Sequence, residues 1–67
     1  MMKFGNILRE KRTERKWSRR VMAEKLGISQ SAIYDWEMRE QLPNIYTCID
    51  IADLFGCTLD ELVGRKV

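Results

Sequence analysis

Only Gly27 and Ile28 stand between the end of one apolar helical stripe and the capping serine of the next. The first stripe is Met22, Ala23 and Leu26, opened by Ser18, whose side-chain oxygen suits the orphan amides of a helix over about 19–26. The second is Ile33 and Trp36, at i and i+3, opened by Ser29. It spans about 30–38 and fades at Met38-Arg39, before the chain's one proline, Pro43. So short a link cannot turn the second helix back alongside the first, and the two must cross steeply. Such a crossing needs a small residue at the contact, a residue tolerant of positive φ in the turn, and apolar anchors beneath the second helix. Ala23, Gly27, and the pair Ile33 and Trp36 supply these in order.

The flanking segments follow the same grammar. Phe4, Ile7 and Leu8 keep helical spacing, and Lys11, Arg12 and Arg15 continue without a breaker, so a first helix is expected over about 3–15. Asn44 opens a fourth helix whose stripe is Cys48, Ile51, Ala52 and Phe55, ended by Gly56. Thr58 opens a short fifth one with Leu59, Leu62 and Val63, ended by Gly64. No segment alternates with period two, and none is of low complexity. The expectation is an all-α, compact five-helix domain. At 67 residues it is expected to be a single domain over 1–67, with no room for a second, ligand-sensing one.

With 45% hydrophobic and 33% charged residues, the chain is too apolar for disorder and too charged for a membrane protein. Its start, Met1-Met2-Lys3-Phe4-Gly5-Asn6, lacks the apolar stretch of a signal peptide, so a cytoplasmic location is expected. Histidine is absent, and two cysteines, Cys48 and Cys57, are too few soft ligands for a structural zinc site. Both are expected to be reduced, at least half-buried small hydrophobes. No carboxylate pair stands out, and neither cysteine has an evident base partner; the expectation is no enzyme, no metal, no cofactor and no small-molecule ligand. Charge is polarised. Residues 1–28 hold nine Lys/Arg against three Asp/Glu, while residues 29–67 hold three against seven. A basic half of this kind can steer a polyanion to one face.

Several motifs together are specific: Phe4-Gly5 with Leu8 and Arg12, the run from Ser18 to Gly27, Ile28-Ser29-Gln30-Ser31-Ala32-Ile33-Tyr34-Asp35-Trp36-Glu37, and Pro43 followed by Ile51-Ala52-Asp53-Leu54-Phe55-Gly56-Cys57-Thr58-Leu59-Asp60-Glu61-Leu62. In these the chain resembles the Cro/XRE family of phage-repressor-like helix-turn-helix domains, from about Phe4 to Val63. The resemblance implies a lambda-repressor-like fold in a bacterial or phage-encoded regulator. It also implies binding to double-stranded DNA as a homodimer on a roughly palindromic operator, and repression by occluding a promoter. Departures from the family pattern are as informative. Arg19 replaces a usual phosphate-touching glutamine and Val21 a common capping glutamate, while Lys16 and Arg39 stand where helix-ending glycine is favoured, so each must take a left-handed or looser turn. Lys11 replaces a usual core leucine, and Ile7 occupies a position often polar. Either helix 1 presents Ile7 to a partner, or the core repacks locally around it.

A recognition helix in the major groove offers base edges its N-terminal end and one stripe, here Ser29, Gln30, Ser31, Tyr34 and Asp35. Gln30 is the foremost reader, since a carboxamide pairs in bidentate fashion with adenine. Asp35 needs a cytosine amino group or a neighbouring cation to sit near phosphates, and excludes wrong sequences more than it attracts the right one. Phosphate contacts are expected from Arg19, Arg20, Arg39, the amides at the Asn44 end of helix 4, and Arg15, which is otherwise read as solvated like Arg9. Arg12 continues the inward stripe of Phe4 and Leu8, and Glu37 follows the anchor Trp36; the resemblance places an ion pair there. Leu59, Val63 and Val67 are the expected dimer surface. The rival reading is a protein-interaction module, of antitoxin or adaptor type, using the same fold.

Overall fold

The computed structural model describes residues 3–65. Five helices follow in order: α1 (Phe4–Glu14), α2 (Arg19–Leu26), α3 (Gln30–Met38), α4 (Ile45–Phe55) and α5 (Leu59–Leu62), with no strand among the described residues. Four begin at the residues the sequence marks. The Ser18 hydroxyl accepts from the Val21 amide at 3.1 Å, Ser29 from Ala32 at 3.3 Å, the Asn44 side-chain Oδ1 from Thr47 at 2.9 Å, and Thr58 from Glu61 at 3.1 Å. Each bond satisfies one of the amides that a helix start leaves without a partner. Helix α1 starts at Phe4, its flanking Lys3 gives no side-chain cap, and Arg15 is its C-terminal flank rather than part of it.

The helix ends divide by residue type. Gly27 and Gly56 adopt φ of 68° and 66°, and amides just beyond each helix return to its last turn. Lys16 takes the left-handed conformation at φ 59°, as the missing glycine requires. After α3 the left-handed residue is Glu40, at φ 57°, and not Arg39, whose φ of −113° gives the looser of the two expected turns. The physical reason is that the reversal falls one residue later, beyond Arg39, with the amides of both Arg39 and Gln41 donating to the Asp35 carbonyl.

The core is one cluster: Phe4 and Leu8 from α1, Met22 and Ala23 from α2, Ile33 and Trp36 from α3, Ile51, Ala52 and Phe55 from α4, and Leu62 from α5. Helix α3 packs on α1 and α2, and α4 packs on α2 and α5, so α3 is supported from behind on two sides. Ile7 is buried, which decides for local repacking over presentation to a partner; Lys11 beside it is half-buried.

Candidate nucleic-acid interface

Along α3 the inward positions are Ile33, Trp36 and Glu37, and the outward ones are Gln30, Ser31, Tyr34 and, at its end, Met38. One open depression on the outer side is lined by Arg19, Gln30, Ser31, Tyr34, Asp35 and Arg39. Four of the five residues expected to face bases thus share a surface with two of the expected phosphate-binding arginines. Ser29 is exposed at the helix start, its hydroxyl engaged as the cap. Asp35 lies 3.7 Å from the Arg39 guanidinium one turn on, which supplies the neighbouring cation its position demands. Arg20 is exposed and pairs with Glu24 at 3.6 Å.

Behind the depression sits Glu37, whose side chain has no exposed surface. Its carboxylate accepts from Arg12 Nε at 2.8 Å and Arg12 Nη2 at 3.0 Å, a bidentate pair across the α1–α3 seam. It also accepts from Arg19 Nε at 3.0 Å. The third donor is missing from a pairwise reading of the sequence, because Arg19 stands at a position where the family pattern has a neutral amide. No local signal marks it, since Arg19 and Glu37 lie 18 residues apart and meet only where α2 crosses α3. Arg12 further ties α1 to the following turn by donating from Nη1 to the Trp17 carbonyl at 2.8 Å.

Arg15 corrects an expectation. It is not a solvated cation: Nη1 donates to the Lys11 carbonyl and Nη2 to the Phe55 carbonyl, each at 2.8 Å, and the guanidinium lies 4.8 Å from the Phe55 ring centroid and 5.8 Å from that of Trp17. Trp17 stacks on Phe55 with centroids 6.1 Å apart, and Lys25 approaches its ring at 4.9 Å. The carbonyls left open at the end of α4, with two aromatic faces beside them, draw the guanidinium inward.

Leu59 and Val63 are exposed at 37% and 43%, while Val67 lies outside the described residues. A larger apolar surface went unread in the sequence: Leu42 at 73%, Ile45 at 57%, Tyr46 at 78% and Ile49 at 40%. Its signal is legible in retrospect, since Ile45 and Ile49 are apolar at i and i+4 off the Cys48–Ile51–Phe55 stripe. Leu42 and Val63 line a common groove with Met38 and the first turn of α1. Cys48 and Cys57 are free and half-buried, and burial pushes both thiols up; for Cys57 the nearby Lys11 charge opposes this. Among the described residues no cluster of three or more His, Cys, Asp or Glu side chains could hold a metal, and no helix is long and apolar enough to cross a membrane.

The helix-turn-helix family profile matches residues 8–62. This chain belongs to the Cro/XRE-type helix-turn-helix family. It is 37% identical over 59 residues to the HTH-type transcriptional regulator AnsR of Bacillus subtilis, covering 88% of this chain and 51% of that protein. It is 34% identical over 65 residues to the HTH-type transcriptional activator BcrR of Enterococcus faecalis, covering 97% and 32%. It is 33% identical over 64 residues to the cryptic phage CTXphi transcriptional repressor RstR of Vibrio cholerae, covering 96% and 57%. The chain therefore spans between about a third and somewhat over half the length of these relatives. The P22 c2 repressor, solved in complex with a synthetic operator, superposes with a TM-score of 0.88 over 98% of this chain and 100% of that one, at 24% identity. That likeness establishes the five-helix fold.

Proposed function

We propose that this domain binds double-stranded DNA sequence-specifically as a transcriptional regulator, acting as a repressor that occupies a roughly palindromic operator as a homodimer. The observation that carries this reading is the one depression gathering Gln30, Ser31, Tyr34 and Asp35 with Arg19 and Arg39 on the outer face of α3. Gln30 reads adenine through its carboxamide, Ser29 and Ser31 contact adjacent base edges, and Asp35, tied to Arg39, rejects sequences that offer it no amino group. Arg19, Arg20, Arg39 and the amides at the Asn44 end of α4 hold phosphates, fixing register without reading sequence. Arg15 serves the core instead. Residues 1–67 act as a single DNA-binding domain in the cytoplasm, with no enzymatic activity and no cofactor, metal or small-molecule ligand.

One domain reads one half-site, so a second copy is needed for a palindrome. Leu59 and Val63, with Leu42 lining the same groove as Val63, form the surface for that copy. Repression follows from occupancy: a domain seated across a promoter excludes the polymerase with no further activity. The exposed Ile45, Tyr46 and Ile49 favour one rival, an antitoxin- or adaptor-type module gripping another protein by this face.

Selection of bound duplexes from a random pool, followed by sequencing, tests the proposal. Recovery of a palindrome whose two halves lie about one helical turn apart is expected. Binding must also weaken steeply with added salt, since counterions released from phosphates re-condense. No enrichment of any sequence overturns the reading in favour of the protein-interaction module.

A further inference from the structure

Of the arginines placed near the depression, Arg19 alone is gripped. Arg20 and Arg39 are about three-quarters exposed and held only by single pairs one helical turn away, at 3.6 and 3.7 Å. Arg19 is held at Nε by the buried Glu37 carboxylate at 3.0 Å, and its guanidinium carbon lies 5.3 Å from the centroid of the Tyr34 ring. Its side chain is 30% exposed. Two supports from α3, one behind and one beside, fix the planar group that α2 delivers.

The consequence is geometric and electrostatic. Nε is the inner edge of the guanidinium; the two Nη groups, with four N–H, have no hydrogen-bond acceptor among the described residues. They form the fork that meets a phosphate in bidentate fashion. The seam is also one anion short, because Arg12 and Arg19 share the single carboxylate of Glu37. A phosphate on the outer edge of Arg19 would restore charge balance next to a desolvated pair, where the attraction is screened less than at an open surface.

We propose that Tyr34 is a positioning residue for Arg19 rather than a reader of bases: with Glu37 it holds Arg19 pre-organised as the principal phosphate clamp of the domain. This rests on the DNA-binding reading above and goes beyond it, because it moves Tyr34 from sequence recognition to sequence-independent affinity. Pre-organisation matters because a free arginine must give up rotamer freedom to bind, and Arg19 has given it up already in the folded domain.

The test uses the selected operator duplex and an unrelated duplex of equal length, titrated over a range of salt. Tyr34→Phe keeps the ring and is expected to bind both within about 2-fold of the wild type, as ring stacking and not the hydroxyl supports the cation. Tyr34→Leu is expected to weaken both duplexes by one common factor of roughly 3- to 30-fold, the range a cation–π contact spans. Once Arg19→Ala is present, Tyr34→Leu is expected to add less than about 2-fold, since the supported group has gone. A Tyr34→Leu effect confined to single base-pair variants of the operator, or undiminished in the Arg19→Ala background, overturns the assignment. Melting of each variant followed by circular dichroism accompanies the titrations, and a Tyr34→Leu loss traced to unfolding counts against it. The Arg19 Nε–H resonance, read without DNA, decides the stack by itself: its shift survives in Tyr34→Phe and changes in Tyr34→Leu, and no change overturns the proposal. A wild-type protein that retains no duplex overturns the DNA reading instead, and this role with it.

Discussion

Gly5, in the first turn of α1, lies against the main chain of α3 at Trp36 so closely that a Cβ there would collide with the Trp36 carbonyl oxygen and come within 3.1 Å of the Glu37 Cα. Both atoms belong to backbone that a helix holds in place, so neither can yield as a flexible side chain would. Gly5→Ala is therefore expected to destabilise the domain by about 1–3 kcal/mol through overpacking, although alanine is the better helix former. Chemical denaturation measures it. A Gly5→Ala variant as stable as the wild type would mean that α1 and α3 approach less closely than described.

Gln30 and Arg19 line one depression, and if one reads a base while the other neutralises a phosphate, as proposed, their truncations are expected to differ in kind. Gln30→Ala relaxes preference at one base pair, worth roughly 1–3 kcal/mol of discrimination. Arg19→Ala weakens binding to all sequences and lowers the salt slope by about one unit. Titrating both variants against operator, single-change and unrelated duplexes separates the two, and identical profiles would refute the division of labour.

Much of this arrangement is legible in the sequence because its signals are local. The four caps need only one side chain and an amide three residues on, and Gly27 and Gly56 supply positive φ unaided. The outward stripe of α3 follows from helical periodicity once Ile33 and Trp36 are placed inside. What escaped is what depends on tertiary neighbours. Glu40, and not Arg39, takes the left-handed turn because two amides converge on the Asp35 carbonyl. Arg15 turns inward because the carbonyl end of α4 and two aromatic rings, distant in sequence, meet beside it. The third donor to Glu37 is invisible until α2 and α3 are crossed. The apolar face of Ile45 and Ile49 is visible in the spacing, but only packing tells which of two apolar faces of α4 is left outside.

If Val63 and Leu42 belong to a surface shared with a second copy, a charge there disrupts assembly without touching the core. Val63→Asp is expected to shift the sedimentation coefficient toward the monomer and to weaken operator binding by much more than half-site binding. Its melting temperature at low protein concentration stays near that of the wild type, because Val63 is 43% exposed. Ultracentrifugation showing a wild-type monomer both free and on the operator would end the dimer reading.

Burial raises both thiols, so the folded protein holds Cys48 and Cys57 protonated to higher pH than the unfolded chain does. The unfolded state therefore loses protons first, and stability falls as the pH rises through the ordinary thiol range near about 8.5. Alkylation at that pH is expected to be slower in the folded protein than in denaturant, for both residues. Equal rates would show the thiols to be open to solvent.

Arg12 and Glu37 offer the sharpest stability test, because the two ends of their ion pair are differently insured. Glu37 is fully buried at its side chain and accepts from both Arg12 and Arg19, whereas the Arg12 side chain, 10% exposed, has one carboxylate partner and the Trp17 carbonyl. Breaking a buried pair by removing one member typically costs about 3–5 kcal/mol, since the other charge is left uncompensated. Glu37→Gln leaves two guanidinium groups facing a neutral amide and is expected to reach that range, a large share of the stability of so small a domain. Arg12→Met leaves Glu37 still paired with Arg19 and is expected to cost less. The double variant is expected to be milder than the sum, with a coupling of at least about 1 kcal/mol between neighbours in one network. Operator binding falls with Glu37→Gln beyond what unfolding explains, because Arg19 loses its inner support. A denaturation cycle on the four proteins measures all of this. A coupling indistinguishable from zero, or an Arg12→Met cost exceeding that of Glu37→Gln, would show that the shared carboxylate does not hold α3 to α1.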